Sequence, residues 1–284
     1  MKLTNKGECL GNLYDLHTHS HCSDGQLSPE ELVTLAIDKG VDVLALTDHD
    51  TLSGIRQARV HAGDRLELIA GIELSALWQG RNIHIVGLQV DIDSTILQEA
   101  VNQQCLARQQ RAQRIAERLH KAGIVGALEG AEHYAQGESV GRPHFAQYLV
   151  DAGYVTSFAQ AFKRYLGTGK IGDVKQQWPS IETVVDWIKS SGGTAVLAHP
   201  DKYDLTRTKL YTLLQLFVEA GGEALEVVSG YQDVAVSHKM AQAAQDFSLF
   251  ASCGSDFHSP DNPWQSLGGM SPLPSGCLPI WDRW

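Results

Sequence analysis

Six histidines and three carboxylates of this sequence stand at positions that suit metal ligands. His17 and His19 form a His-x-His pair, and Asp256 and His258 form an Asp-x-His pair. Because residues i and i+2 of an extended strand point the same way, each pair can direct two ligands into one cavity. The other candidates are Asp24, His49, Glu73, His84 and His199. So many imidazoles and carboxylates exceed the coordination of one ion and suit two or three divalent cations.

The elements that must position these residues alternate as β/α units do. Apolar runs alternate with helical patterns, such as the segment 28–39, which opens with a capping box. The predicted strands are 13–16, 41–46, 66–69 with 72–74, 82–90, 194–198, 224–228 and 249–252. Most of the candidate ligands close these strands, and the C-terminal ends of barrel strands form the active-site mouth. We therefore expect an α/β fold, a barrel of seven units with its ligands at one mouth.

The β/α rhythm breaks in the middle of the chain. Helices are predicted at 96–122, 143–151 and 158–166, without strands between them. We expect residues 1–95 and 178–284 to form the barrel, and residues 96–177 to form a helical insertion that binds substrate or acts as a lid. The long helix carries a basic stripe, for which a solvated flank is favoured over a phosphate-attracting surface. The stripe consists of Arg108, Arg111, Arg114, Arg118 and Lys121.

Composition and charge favour a globular protein that acts on a phosphate-bearing molecule. The net charge of −10 disfavours a general nucleic-acid binder, yet residues 96–177 carry ten Lys and Arg against seven Asp and Glu. No apolar run approaches the roughly 18 residues that span a bilayer, and the first residues lack a signal-peptide core. We therefore expect a cytoplasmic location and no membrane partner. The five scattered cysteines, without a C-x-x-C, argue against a thiolate zinc site.

The motifs together resemble those of the PHP (polymerase and histidinol phosphatase) family of phosphoesterases. They are DLHTH at 15–19, SDG at 23–25, TDHDT at 47–51, GIE at 71–73, His84, AHP at 198–200 and GSDFH at 254–258. Within this family, the motif order and the insertion are most similar to the 3′,5′-nucleoside bisphosphate phosphatase branch. That branch includes the RNase AM type of 5′→3′ exoribonuclease.

The resemblance implies a distorted (β/α)7 barrel, the PHP fold, with a helical insertion and a trinuclear metal site. By position, the first ion would be held by His17, His19, Glu73 and Asp256, the second by Glu73, His84 and His199, and the third by Asp24, His49 and His258. Glu73, Asp256 and His199 are the expected catalytic residues. The expected cofactors are two or three divalent ions, Mn²⁺ in preference to Zn, Fe or Mg. Such ions lower the pKa of a bridging water and supply the attacking hydroxide.

The segment 141–144 is the predicted contact with the substrate phosphate. Pro143 favours a helix start, which would set Arg142 and His144 at a positive helix end suited to anions. A similar motif faces the site in the phosphatase branch. Lys170 is a weaker third candidate, because the residues that follow it depart from the branch pattern. We expect a nucleotide or a short single-stranded RNA as substrate, and infer no obligate protein partner.

Several alternatives stay open at this point. The metal site would also serve a different phosphomonoester, such as histidinol phosphate, with specificity set by the insertion. A non-catalytic metal-holding domain is disfavoured because every ligand position is filled. Asp48 and Asp50 are candidates to orient His49 or a metal-bound water, or equally to cap the helix that follows. For Trp178, burial is favoured over stacking on a base.

Overall fold

The computed structural model describes residues 12–136, 139–175 and 178–284. Its strands form one seven-stranded sheet in the order of the chain. They are β1 (Tyr14–Thr18), β2 (Val43–Leu46), β3 (Glu67–Trp78), β4 (Arg81–Leu88), β5 (Thr194–Leu197), β6 (Ala224–Ser229) and β7 (Phe250–Gly254). The sheet closes where the His19 amide donates to the Phe257 carbonyl at 2.9 Å and the Asp256 amide donates to the His17 carbonyl at 2.8 Å. The predicted barrel class is confirmed.

Helices pack around this barrel and above it. They are α1 (Pro29–Lys39), α2 (Ile55–Ala62), α3 (Thr95–Lys121), α4 (Ala127–Ala135), α5 (Arg142–Asp151), α6 (Phe158–Ala161), α7 (Ile181–Ser190), α8 (Arg207–Glu219) and α9 (Val234–Asp246). The predicted capping box of α1 is present, since Ser28 and Glu31 exchange hydrogen bonds with each other's backbone amides. Among the described residues, no helix combines the length and apolar character needed to cross a membrane.

Strand β4 departs from the expected parallel arrangement. It runs antiparallel to both β3 and β5, with Ser75 opposite His84. The cause is the two-residue turn between Trp78 and Arg81, where Gln79 and Gly80 both have positive φ (48° and 75°). Such turns join antiparallel hairpins, so no helix separates β3 from β4. His84 therefore reaches the mouth from the beginning of its strand and not from its end.

The hydrophobic core has separate parts. A large cluster fills the space between the sheet and the outer helices, and a smaller one, including Leu16, Ala45 and Val86, lies inside the barrel. Helices α3 to α6 enclose a further cluster of their own. Helix α3 belongs to both regions, because Leu97 packs in the large cluster and Ile115 packs in that of the insertion. The division at residues 95/96 and 177/178 stays a prediction.

Gly254 tests the closure of the barrel. A Cβ at this position would lie 2.3 Å from the Cβ of His17 and 2.7 Å from its backbone nitrogen. We expect Gly254→Ala to lower the free energy of unfolding by about 1–3 kcal/mol, because β1 cannot move without opening the sheet. Chemical denaturation measures this change. Val60→Ala, at a side chain that is 84% exposed, is the control and is expected to stay within about 0.5 kcal/mol. Equal stability of both variants would contradict tight closure.

Candidate metal centre

The centre is built around one buried carboxylate, that of Glu73 on β3. Its side chain is fully shielded from solvent, and histidines surround both of its oxygens. Glu73 Oε2 lies 3.1 Å from His17 Nε2, 3.2 Å from His19 Nε2 and 3.0 Å from His49 Nδ1. Glu73 Oε1 lies 3.0 Å from His84 Nδ1 and 2.9 Å from His199 Nε2. These five histidines come from four different parts of the chain, and the barrel brings them to one point.

The donors divide into three groups, in each of which all ligand atoms lie within 4.8 Å of one another. These groups are His17, His19, Glu73 and Asp256; His49, Glu73 and His84; and His19, Asp24, His49 and His258. The first group equals the set expected for the first ion. The second has His49 where His199 was expected, and the third gains His19. All nine expected ligands nevertheless line one mouth, and their role as ligands stays a prediction.

The geometry of the donors fits divalent cations. His17 Nε2, His19 Nε2 and Glu73 Oε2 are buried without a well-oriented hydrogen bond in the described part of the chain, although they face one another closely. Two ligands of one ion at right angles, with bonds of about 2.1 Å, would stand about 3 Å apart. Facing lone pairs repel unless a positive charge lies between them. Bound cations would remove that repulsion and satisfy these atoms.

The electrostatics of the pocket show how strongly its groups depend on positive charge. Burial disfavours the imidazolium of His19, but the close carboxylates of Asp256 and Glu73 outweigh burial and raise the pKa of His19 to about 10. Burial also disfavours the carboxylate of Glu73, yet the charges of His49, His17 and His84 hold the pKa of Glu73 well below its usual range. His19 therefore holds a proton in the absence of metal, and metal binding would displace that proton.

Glu226 on β6 is a buried carboxylate that the sequence analysis missed. Both of its oxygens lie 3.2 Å from His17 Nδ1, and Oε2 accepts the backbone amide of His199 at 2.6 Å. This contact makes Nδ1 of His17 the donor and leaves Nε2 free to face Glu73. A signal was available, because Glu226 is the single charged residue of the strand Ala224–Ser229.

Two aspartates of the second motif hold neighbouring elements in place. Asp48 accepts hydrogen bonds from the Ser20 amide (2.8 Å), the Ser20 hydroxyl (2.6 Å) and the Ser23 hydroxyl (2.6 Å), which fixes the loop before Asp24. Asp50 accepts from the amide and the hydroxyl of Ser75, both at 2.8 Å. Neither caps α2, whose N-cap is Gly54. Asp48 and Asp50 therefore hold in place the segments that carry Asp24 and Glu73.

The basic stripe of α3 is partly buried, so the expectation of a solvated flank is wrong for its first two residues. Arg108 pairs with Asp50 at 2.6 Å, and Arg111 donates to the Val174 carbonyl at 3.3 Å. Their guanidinium carbons lie 5.7 Å and 5.9 Å from the ring centre of Trp178, which is buried as expected. Burial, together with the charges of Arg142 and Arg108, lowers the pKa of Arg111 to about 9.

The three predicted substrate contacts lie in different environments. Arg142 begins α5 and is half-buried, and its guanidinium donates to the Leu166 carbonyl at 3.3 Å. His144 is buried, and its Nδ1 accepts the Gly141 amide at 3.0 Å. Lys170 lies in an exposed turn, and its ammonium makes no ion pair or hydrogen bond within residues 12–136, 139–175 and 178–284. The structure therefore brings His144, but not Lys170, to the metal donors.

A cavity of about 680 Å³ joins the metal donors to the helical insertion. Its walls include His21, Asp24, His144, Phe162, His258 and Gln265. Charged donors form one side, and α5 and the aromatic residues near α6 form the other. The cavity is therefore suited to a ligand with an anionic group at one end and a flat apolar group at the other.

Comparison with known proteins identifies the class. The model of the PHP domain matches residues 15–197, more than half of the 284 residues. The chain belongs to the PHP domain family, and the resemblance seen in its motifs is confirmed.

Two curated relatives cover nearly the whole chain. The 5'-3' exoribonuclease Rnm of Escherichia coli (strain K12) is 47% identical over 275 residues, which cover 96% of this chain and 94% of the relative. The 3',5'-nucleoside bisphosphate phosphatase of Chromobacterium violaceum is 40% identical over 269 residues, with 94% of each protein covered. A solved structure of an amidohydrolase from Chromobacterium violaceum, with bound sulfate and no metal, gives a TM-score of 0.90 at 40% identity and covers 95% of both chains.

Substitution of Glu226 tests whether the contacts that orient the metal donors are needed for metal binding. We expect Glu226→Gln to weaken divalent metal binding about 10- to 100-fold, because the carboxylate no longer orients His17. Isothermal titration of the metal-free protein with Mn²⁺ measures the affinity. Glu223→Gln is the matched control, since Glu223 adjoins the other end of β6 and pairs with Arg283 at 2.7 Å. An unchanged Mn²⁺ affinity in Glu226→Gln would remove this role.

Proposed function

We propose that this protein hydrolyses phosphate esters of nucleotides, as a 3′,5′-nucleoside bisphosphate phosphatase and as a 5′→3′ exoribonuclease on short RNA. The observation that carries the proposal is the complete set of imidazole and carboxylate donors around Glu73. The names of relatives that are 40% and 47% identical along almost the whole chain support the choice of nucleotides. We place this activity in the cytoplasm.

The donor set would hold two or three divalent ions, for which we favour Mn²⁺. Mixed imidazole and carboxylate ligands suit Mn²⁺, whereas a zinc site with thiolates is excluded by the donor types. Bound ions would lower the pKa of a coordinated water and offset the charge that develops on the phosphoryl group. Glu73, Asp256 and His199 are the catalytic residues of this proposal, since Glu73 and Asp256 share the first donor group and His199 Nε2 lies 2.9 Å from Glu73 Oε1.

Other residues of the chain hold the catalytic groups in position. Glu226 fixes the tautomer of His17 and the backbone of His199. Lys202 forms an ion pair with Asp256 and remains 45% exposed, so its ammonium faces the mouth. There it is placed to attract a phosphate and to release Asp256 to a metal ion. A substrate phosphate would thus meet a positive charge beside the metal donors.

The helical insertion, residues 96–177, supplies the substrate-binding surface in this proposal. Arg142 and His144 lie at the N-terminus of α5, where backbone amides and the helix dipole favour an anion. Burial and the charges of Arg142 and Arg108 lower the pKa of Arg111, and the negative charge of a bound phosphate would oppose that effect. Lys170, on its exposed turn, would act on a longer substrate. The expected ligand is a nucleotide or the 5′ end of a short single-stranded RNA.

The first test is phosphate release from adenosine 3′,5′-bisphosphate with Mn²⁺, beside a 5′-phosphorylated RNA pentamer. We expect the intact protein to release phosphate, and we expect Glu73→Gln to lose more than about 100-fold in activity. Glu73 belongs to two of the donor groups and contacts His19 and His49 of the third. Glu67→Gln, on the exposed beginning of the same strand, is the matched control and should retain activity.

The RNA pentamer separates the two activities. Its degradation from the 5′ end would show exoribonuclease activity in addition to phosphatase activity. If the metal-loaded protein left both nucleotides and RNA intact but hydrolysed a small amino-alcohol phosphate such as histidinol phosphate, the nucleotide proposal would be wrong. If it bound metal and hydrolysed no phosphoester, including an activated aryl phosphate, the enzymatic proposal would be wrong as well.

Arg142 tests the phosphate contact on the insertion. A hydrogen bond to a charged group contributes about 1.5–3 kcal/mol, so we expect Arg142→Ala to raise KM for the bisphosphate roughly 10- to 150-fold. The effect on kcat should be smaller, because Arg142 lies outside the metal donors. Steady-state kinetics with Mn²⁺ give both constants. Arg114→Ala, an exposed arginine of α3, is the control. A loss confined to kcat would argue against a binding role.

A further inference from the structure

Two large aromatic side chains remain exposed side by side on the surface. Tyr231 is 68% exposed and Trp264 is 64% exposed. Their ring centres lie 5.4 Å apart with an interplanar angle of 59°. Exposed aromatic surface is unfavourable in water, and a contiguous pair is a common mark of a binding surface.

This aromatic pair, Tyr231 and Trp264, adjoins the mouth of the barrel. Tyr231 follows the C-terminal end of β6, and Trp264 lies in a short 3₁₀ helix, Pro263–Gln265, beyond β7. The next residue, Gln265, donates a hydrogen bond from its side chain to Asp256 Oδ2 at 2.8 Å. A single residue therefore links the pair to a carboxylate of the first donor group.

The loops that carry the pair are fixed by backbone contacts. The Tyr231 amide donates to the Trp264 carbonyl at 2.7 Å, and Asn262 Oδ1 accepts the Trp264 amide at 3.2 Å. Gly230 has φ +59°, and a Cβ there would lie 2.7 Å from the Trp264 carbonyl oxygen. The two loops thus pack too closely for any residue but glycine. The backbone holds both rings in place, although the rings themselves remain in solvent.

We propose that this aromatic pair stacks with bases of a single-stranded RNA, on the 3′ side of the phosphodiester in the metal centre. The inference rests on the proposed function and adds a binding site for the rest of the substrate. An exonuclease that holds the 5′ end at its metal ions must let the chain leave across the rim. The pair lies on that rim, and every base offers a flat face to an aromatic ring.

Charge also favours stacking at this position. The protein carries a net charge of −10, Asp233 lies shortly after Tyr231, and Asp261 lies shortly before Trp264. A phosphate backbone gains little attraction there, whereas stacking needs no positive charge. The pair would therefore bind bases without sequence preference. Its contribution should also depend little on salt, in contrast to that of Arg142.

The test is the affinity of the full chain for a fluorescent 5′-phosphorylated RNA pentamer, measured by anisotropy with Mn²⁺. All proteins keep Glu73, because the metal centre must hold the 5′ end, and the pentamer carries hydrolysis-resistant linkages so that the RNA is retained. We expect Trp264→Ala to weaken binding roughly 5- to 150-fold, the range for loss of one stacked base. Tyr231→Ala should weaken it to a similar degree, and Trp264→Phe, which keeps a ring, should weaken it less. Trp284→Ala, an exposed tryptophan near the opposite end of the barrel, is the matched control.

The outcomes separate this inference from the proposed function. Equal RNA affinity of Trp264→Ala and its parent would overturn the stacking site, and this is also the result expected if the pair serves a protein partner. A parallel loss of affinity for adenosine 3′,5′-bisphosphate would overturn it too, because the 3′-phosphate of that ligand carries no further base that could reach the pair. Phosphate release by the protein with Glu73 intact decides the catalytic proposal independently of both results.

Discussion

The burial of the Glu73 carboxylate is the constraint on which the rest of the structure depends. A carboxylate without solvent is strongly unfavourable unless positive charge surrounds it. Here the histidines at both of its oxygens provide that charge, as imidazolium or through the cations they are suited to hold. The strand hairpin β3–β4 is needed for this arrangement, since it sets His84 next to Glu73 on the adjacent strand. The remaining donors reach the same point only because the sheet closes.

A layer of buried polar contacts supports the donors from outside. Glu226 orients His17, Asp48 holds the loop of Asp24, and Asp50 connects β3 to the middle of α3 through Arg108. Removing one partner of such a pair leaves an uncompensated charge, which is more harmful than replacing both. The metal site and the insertion are thereby joined through the buried ion pair of Asp50 and Arg108. Geometry at the centre depends on residues that touch neither metal nor substrate.

Much of the site could be predicted from sequence, because strand ends and i, i+2 spacing determine where histidines and carboxylates point. The antiparallel direction of β4 was not predicted. It depends on the turn at Gln79 and Gly80, which makes a hairpin in place of a β/α unit. Burial of Arg108 and Arg111 could not be predicted, because a run of basic residues on a helix does not show that Trp178 and Asp50 cover it. Those contacts join residues far apart in the chain, and local sequence patterns do not predict such contacts.

The closure between β1 and β7 has a consequence for the order of events in folding. The Ser255 amide donates to Asp15 across 240 positions, so this contact forms only when most of the chain is available. Contacts of such high sequence separation are slow to form, and a growing chain cannot assemble the centre while its last strand is absent. The hydrolytic apparatus thus stays incomplete throughout synthesis, and ions captured on closure would hold the two ends of the barrel together.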